Sequence, residues 1–222
     1  MIFSMFKINY ISINLTFLLI GYLVGSISFG IIISKLKGKD LRKEGSNNAG
    51  ATNAMRVMGL KFGALVFILD FLKSYLVIML AFTLKALTKN IYIIPMIAGL
   101  GAVIGHIFPI FHNLKGGKGV SCFIGMIFAF DFMIFTIYAM VFVFIVLVSK
   151  YVSLASTITS ATVPFLGFVP SIYSNSTLSF LQENTIYPIH TIILIIASIA
   201  IVIKHIPNYI RLFNHKENKL KL

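Results

Sequence analysis

VSCFIGMIFAFDFMIFTIYAMVFVFIVLVS, running from Val120 to Ser149, is 30 residues of almost unbroken apolar sequence with one charge, Asp131, near its middle. As a single helix it would measure about 45 Å at about 1.5 Å per residue. That is too long for one upright crossing of a hydrocarbon core of about 30 Å and short for two full ones. A carboxylate at the bilayer centre costs several kcal/mol, whereas at a turn on the far face it is solvated. The stretch is therefore predicted to form two short helices meeting near Asp131.

Working outward, apolar runs long enough to cross as helix occupy Asn14 to Ser34, Phe62 to Leu84, Ile91 to Phe111, Val152 to Ile172 and Ile186 to Ile203. With the split at Asp131 the expectation is an all-α, polytopic integral membrane protein of seven transmembrane helices, a single domain over residues 1–222. Parity then places 15 of the 19 Lys and Arg residues in the loops on one side, against Lys7, Lys85 and Lys89 on the other, with Lys73 inside a span. The positive-inside rule puts the basic side in the cytoplasm, the N-terminus outside and the C-terminus inside. Six spans would turn the basic C-terminal segment outward, which the same rule disfavours. The N-terminus, with Lys7 and then an apolar run from Ile11, lacks a small-residue cleavage site and reads as an uncleaved first span.

Composition agrees. Of 222 residues 58% are hydrophobic and 11% charged, and the mean hydropathy is +0.95, which excludes an ordinary soluble domain. A net charge of +13 suggests nucleic acid at first sight. The cations lie between apolar runs, however, so anionic lipid and anionic substrates are the expected partners and no nucleic acid is. The single Cys122 excludes an internal disulfide. Asp70 and Lys73, three apart in the second span, share a helix face; they read either as a mutually neutralised pair or as part of a proton or ion path.

Four polar segments fall on the basic side. Between Lys35 and Lys61 runs Gly45-Ser46-Asn47-Asn48-Ala49-Gly50-Ala51-Thr52-Asn53, with Arg42 and Arg56 flanking it. Small, amide-rich and hydroxyl-bearing residues among cations can form an anion-binding concavity, or they can be a flank that only fixes topology. The second segment holds Gly105-His106-Ile107-Phe108-Pro109 and then Lys115-Gly116-Gly117-Lys118-Gly119-Val120. Glycines around a lysine at a helix start either cradle phosphate or make a hairpin. A nucleotide-hydrolysing loop is not supported, because His112 stands where the first Gly is required and Gly119 replaces the magnesium-holding Ser or Thr. Tyr151 to Ser156 sets hydroxyls at the mouth of a span, where they either pack between helices or face a ligand. Lys204-His205-Ile206-Pro207-Asn208-Tyr209-Ile210-Arg211 follows the last span, as an interfacial cluster or as groups for substrate. His112, His190 and His215 lack such company.

Together these segments resemble the bacterial acyl-phosphate:glycerol-3-phosphate acyltransferases, the PlsY family, from Gly25-Ser26 to Glu217. The first motif of that family is met by Arg42, Gly45-Ser46, Asn48, Gly50-Ala51-Thr52-Asn53 and Arg56. The second is met by Gly105-His106, Phe108-Pro109 and Lys115 to Val120, and the third by His205, Asn208, Arg211 and Glu217. The chain departs from the pattern at Asn47, where Gly is usual, at Ser28 for Pro, at Lys204 for Arg, and at Pro207 and His215. Asn tolerates positive φ better than other non-glycine residues, so Asn47 is expected to keep the loop geometry.

The resemblance implies transfer of a fatty acyl group from acyl phosphate to sn-glycerol 3-phosphate, giving 1-acylglycerol 3-phosphate (lysophosphatidic acid) and phosphate, at the cytoplasmic face of a bacterial inner membrane. It implies no cofactor, no metal and no obligate protein partner beyond membrane lipid. Carried over residue by residue, Gly116, Gly117, Lys118 and Gly119 bind phosphate, with Arg56, Ser153 and His205 on glycerol phosphate. Ser46, Asn48, Thr52 and Asn53 hold the acyl phosphate and polarise its carbonyl, and Asn208 orients the acceptor; Ser46, Arg56, His205 and Asn208 are the expected catalytic group. Glu217 is expected to pair with a nearby cation. No His is followed by Asp five residues later, so the acyltransferase signature of soluble enzymes is absent. A small transporter of an organic phosphate is the rival reading; it requires its functional groups near the bilayer midplane. Three Asp in all are too few for a metal-dependent phosphoalcohol transferase.

Overall fold

The computed structural model describes residues 2–173 and 187–220; Ile186 and Lys221 lie outside them. The helices are α1 (Ile2–Gly25), α2 (Phe29–Leu36), α3 (Ala51–Met58), α4 (Leu60–Thr88), α5 (Pro95–Ile107), α6 (Val120–Phe130), α7 (Phe132–Ser149), α8 (Val152–Thr162), α9 (Pro170–Tyr173), α10 (Ile189–Lys204) and α11 (Ile206–Phe213). Short 3₁₀ turns occupy Ile110–His112 and Val163–Phe168, and no strand occurs among the described residues. Among the described residues four segments are long and apolar enough to cross a membrane: Tyr10–Leu36, Leu60–Thr88, Pro95–His112 and Phe132–Ser149. The pair α10 and α11, bent by 45°, makes a fifth if counted as one span. Val120–Phe130 and Val152–Phe168 are shorter apolar helices.

The 30-residue run does break at Asp131. That residue is extended (φ −159°, ψ 122°) and ends α6, while its carboxylate caps α7 by accepting from the Ile134 N–H at 2.8 Å. The expectation of a solvated carboxylate is corrected, because Asp131 is 1% exposed. An orphan N–H at the start of α7, rather than water, accounts for a buried acid at this point.

Close packing centres on α1 and α5, the most extensive helix pair. Gly21 and Gly25 lie against Ala98 and Ala102, while Gly101 and Gly105 lie against the backbone of α1 at Leu18 and Tyr22 and of Ser26 just beyond it. Small residues four apart on both helices let the two backbones touch, as dispersion packing between membrane helices requires. Gly125 does the same for α6 on Phe71 of α4. The core around Met96, Phe123, Met126, Phe130 and Leu194 fills the space between α4, α5, α6 and α10. Helix α7 leans on α8 and α6 and leaves Phe144, Leu147 and Val148 facing outward.

Asn47 takes φ +56°, as its residue type allows. The departure at Lys204 keeps a cationic contact, its ammonium lying 4.6 Å from the Phe108 ring centre. Pro207 sits in the first turn of α11, where a missing N–H costs nothing, and His215 is left-handed (φ +55°).

Candidate functional site

A cavity of about 890 Å³ is polar at one end and apolar along its length. Three helix N-termini supply much of the polar end: Gly50, Ala51 and Thr52 of α3, Gly119, Val120 and Ser121 of α6, and Val152 and Ser153 of α8. None of the three has a side-chain cap, so first-turn N–H groups and the positive ends of three helix dipoles point to one place. Arg56 and Lys118 add full charges there. An anion is what this arrangement attracts.

The α3 loop is held by Asn53. Its Oδ1 accepts from the Ser46 N–H at 2.8 Å, and its Nδ2 donates to the carbonyls of Leu41, Glu44 and Asn48 at 3.0, 2.9 and 2.9 Å. Asn53 is 2% exposed and lies on the cavity wall, and its amide is occupied in shaping the loop. Asn48 Oδ1 accepts from the Gly50 N–H at 2.9 Å. The hydroxyls of Ser46 and Thr52, both on the cavity wall, make no hydrogen bond among the described residues, and Arg56 has no ion-pair partner among them.

A second network joins the C-terminal segment to the glycine loop. Lys118 Nζ donates to Asn208 Oδ1. Asn208 Nδ2 donates to Glu217 Oε1 at 2.8 Å, Ser153 Oγ to the same oxygen at 2.9 Å, and Arg211 Nε to Oε2 at 2.9 Å. Glu217 therefore does pair with a cation, Arg211. Burial raises its pKa, but hydrogen bonds from Asn208, Arg211 and Ser153 outweigh that and hold it below the ordinary carboxylate range. Burial pushes the Lys118 ammonium down to about 8, against the pull of Glu217 and with the repulsion of Arg211 and Arg56. His205 directs Nδ1 to the Ile201 carbonyl at 2.8 Å, which leaves Nε2 for the cavity it lines. The Leu220 N–H bonds the Lys150 carbonyl at 2.8 Å and ties the tail over the start of α8.

Gly116 and Gly117 do not line the cavity. Gly117 gives its N–H to the His106 carbonyl at 3.1 Å, and a side chain at Gly116 would strike that carbonyl and Pro109. Both glycines permit close packing against His106. Beneath them sits a cluster that sequence spacing shows only in part. Asp70 and Lys73 pair at 2.7 Å as expected, and His106 joins them, its Nδ1 3.1 Å from Lys73 Nζ and 3.4 Å from Asp70 Oδ1. Asp70, His106 and Cys122 are grouped closely enough for a metal, but the Lys73 ammonium already supplies the cation.

The apolar length of the cavity runs between α4, through Leu60, Ala64, Phe67 and Ile68, and α7, through Phe135, Ala139, Phe142 and Val143, with Ile124 of α6 behind. Phe67, Ile68 and Val143 are 37%, 50% and 52% exposed, so the groove opens on the outer surface of the helix bundle.

The model of the family described as glycerol-3-phosphate acyltransferase matches residues 15–215. The chain belongs to that family. A glycerol-3-phosphate acyltransferase of Mycoplasmopsis agalactiae (strain NCTC 10123 / CIP 59.7 / PG2) is 35% identical over 96% of this chain and 96% of its own length. One of Aquifex aeolicus (strain VF5) is 48% identical over 49% of the chain; there the chain spans about half of the relative, 55%. The fold matches that of PlsY (YgiH), an integral membrane glycerol 3-phosphate acyltransferase, in its glycerol 3-phosphate form, with a TM-score of 0.77, 34% identity and coverage of 94% and 96%. Its lysphosphatidic acid form matches equally well, with a TM-score of 0.77 at 33% identity. This glycerol-3-phosphate acyltransferase family member thus has an integral-membrane architecture of apolar helices in common with a solved relative.

Proposed function

We propose that the chain, as a single transmembrane acyltransferase domain, moves a fatty acyl group from acyl phosphate to the primary hydroxyl of sn-glycerol 3-phosphate. The products are 1-acyl-sn-glycerol 3-phosphate and inorganic phosphate, the first acylation of phospholipid synthesis. The observation that carries this is one cavity joining an anion-attracting end, built by three helix N-termini with Arg56 and Lys118, to an apolar groove that opens sideways. Each substrate carries phosphate, and the donor adds a lipid chain that needs such a groove.

The seven-span reading counts the five longer candidates and the two short apolar helices; it sets the polar end at the cytoplasmic face of the inner membrane, with the N-terminus outside. Acyl phosphate is a mixed anhydride and already activated, so the work is to hold two anions together and to stabilise charge developing on the carbonyl oxygen. Lys118, the α6 N-terminus at Gly119 and Arg56 hold phosphate. The Ser46 and Thr52 hydroxyls, with the α3 N-terminus that Asn48 and Asn53 shape, hold the acyl phosphate and polarise its carbonyl. His205 offers Nε2 to the acceptor; Asn208, Ser153 and Glu217 fix Lys118 from behind. The acceptor hydroxyl forms the new ester bond, the anhydride C–O bond breaks, and the hydroxyl proton leaves on the released phosphate. Acyl transfer by this route needs no covalent enzyme intermediate.

A transporter of an organic phosphate requires groups at mid-span. Here the polar lining comes from helix ends, and the deep charges Asp70 and Lys73 neutralise each other. The test is purified protein with glycerol 3-phosphate and either acyl phosphate or acyl-CoA, followed by mass spectrometry. Monoacyl product from acyl phosphate alone is expected; product from acyl-CoA alone overturns the donor, and none from either overturns the reaction.

A further inference from the structure

We propose that the buried Asp70–Lys73–His106 cluster is a positioning device that sets Lys118 and the α6 N-terminus against the phosphate. The proposal rests on reading Lys118 as a phosphate ligand. Lys73 Nζ lies 2.7 Å from Asp70 Oδ1, 3.1 Å from His106 Nδ1, and donates to the Ile27 carbonyl at 2.8 Å. One ammonium thus ties α4 to α5 and to the break between α1 and α2, and satisfies a carbonyl that the break frees. All three side chains are 5% exposed or less.

His106 then meets the glycine loop twice. Its carbonyl accepts the Gly117 N–H at 3.1 Å, and its Nε2 sits where a Gly117 side chain would project. The ring, at the wall of the cavity, is therefore held by two charges on one side and packed against Gly117 on another, and the residue after Gly117 is Lys118. Neutralising Asp70 inside the bundle needs only Lys73; the third partner, which reaches the loop, is not needed for that. Charge-assisted contacts in a low dielectric are directional where apolar packing is not, which suits them to fix a loop that must place a cation. Asp70, Lys73 and His106 are on this account positioning residues acting through Lys118.

The test is a double-mutant cycle on the full chain in lipid nanodiscs, reading the Kd for inorganic phosphate and for glycerol 3-phosphate, each titrated into the high millimolar range so that both backgrounds are measurable. Asp70→Asn is expected to weaken binding tenfold or more in the wild-type background and less than twofold in the Lys118→Ala background. A role in stability alone gives the same factor in both backgrounds, or none, and either result overturns the proposal. Should Asp70→Asn fail to fold, Gly117→Ala carries the same cycle with every charge intact and the same two expectations. Since the readout is binding, phosphate bound without acyl transfer sinks the proposed reaction and leaves this inference standing. Turnover with equal factors in both backgrounds does the reverse.

Discussion

The Lys118 ammonium and the Asn208 side-chain oxygen are bonded across 90 residues of sequence. Asn208 passes that bond on to Glu217, so the cation at the mouth of α6 is oriented by the segment after the last long helix. Removing Lys118 takes a charge from the phosphate and leaves Asn208 half satisfied. Lys118→Ala is expected to lower kcat/KM for glycerol 3-phosphate by at least about a hundredfold, and Arg56→Ala by about tenfold or more, in steady-state assays of folded protein. Full activity in both variants would remove the phosphate roles.

Acidity adds a second handle on Lys118. Its folded pKa of about 8 lies below the ordinary 10.5 because burial disfavours the charge. Between those values the unfolded chain holds a proton that the folded chain has lost. This group therefore makes stability rise with pH from about 8 to 10.5. Phosphate binding moves the other way, because it needs the ammonium, so kcat/KM should fall as pH rises through about 8. Lys118→Arg should carry that falling limb beyond the accessible range. A pH profile unchanged by that substitution removes Lys118 as the group responsible.

Glu217 is the hub of the C-terminal network, and Glu217→Gln keeps its shape while removing its charge. We expect a loss of about 1–3 kcal/mol in unfolding free energy, since a charged acceptor for Arg211 and Asn208 disappears, together with lower activity through Lys118. The folded carboxyl titrates below the ordinary value of 4.5. Its stabilisation is therefore complete above 4.5 and fades as pH falls through the lower folded value. Thermal unfolding of both proteins at neutral pH and near pH 4 checks the size and the sign, the difference shrinking at the lower pH.

Asn53→Ala removes four hydrogen bonds from the α3 loop at once. Destabilisation of about 2–4 kcal/mol is expected, because buried carbonyls lose their donor, whereas Ser46→Ala, whose hydroxyl bonds nothing within the described residues, should leave stability unchanged and lower kcat. Chemical denaturation with parallel rate measurement separates the two.

The groove makes a prediction about chain length. Ala139→Trp fills it between α4 and α7, so KM for long-chain acyl phosphate should rise about tenfold or more with that for glycerol 3-phosphate unchanged. A uniform change in both would show that the groove does not hold the chain.

What the sequence makes legible is local. The position of the break at Asp131 follows from helix length and the one charged residue in the run, though the carboxylate is buried as a helix cap rather than solvated. The Asp70–Lys73 pair follows from spacing along one helix, and the left-handed Asn47 from residue type. Long-range closures are not encoded in any window. His106 reaches Asp70 across 36 positions of chain, and the Asn53 amide turns back on its own loop, so neither the cluster nor the use of Asn53 can be read from composition or period. Nor does the string show that Gly116 and Gly117 pack against His106.

The central claim is that one cavity grips two phosphate-bearing substrates and passes an acyl group between them. The most direct test is the rate of monoacylglycerol phosphate formation from acyl phosphate and glycerol 3-phosphate by the protein in nanodiscs, beside its Lys118→Ala variant at matched folded concentration. The account predicts robust product from the wild type and at least about a hundredfold less from the variant. Equal rates in the two, or no product from acyl phosphate at all, would contradict it.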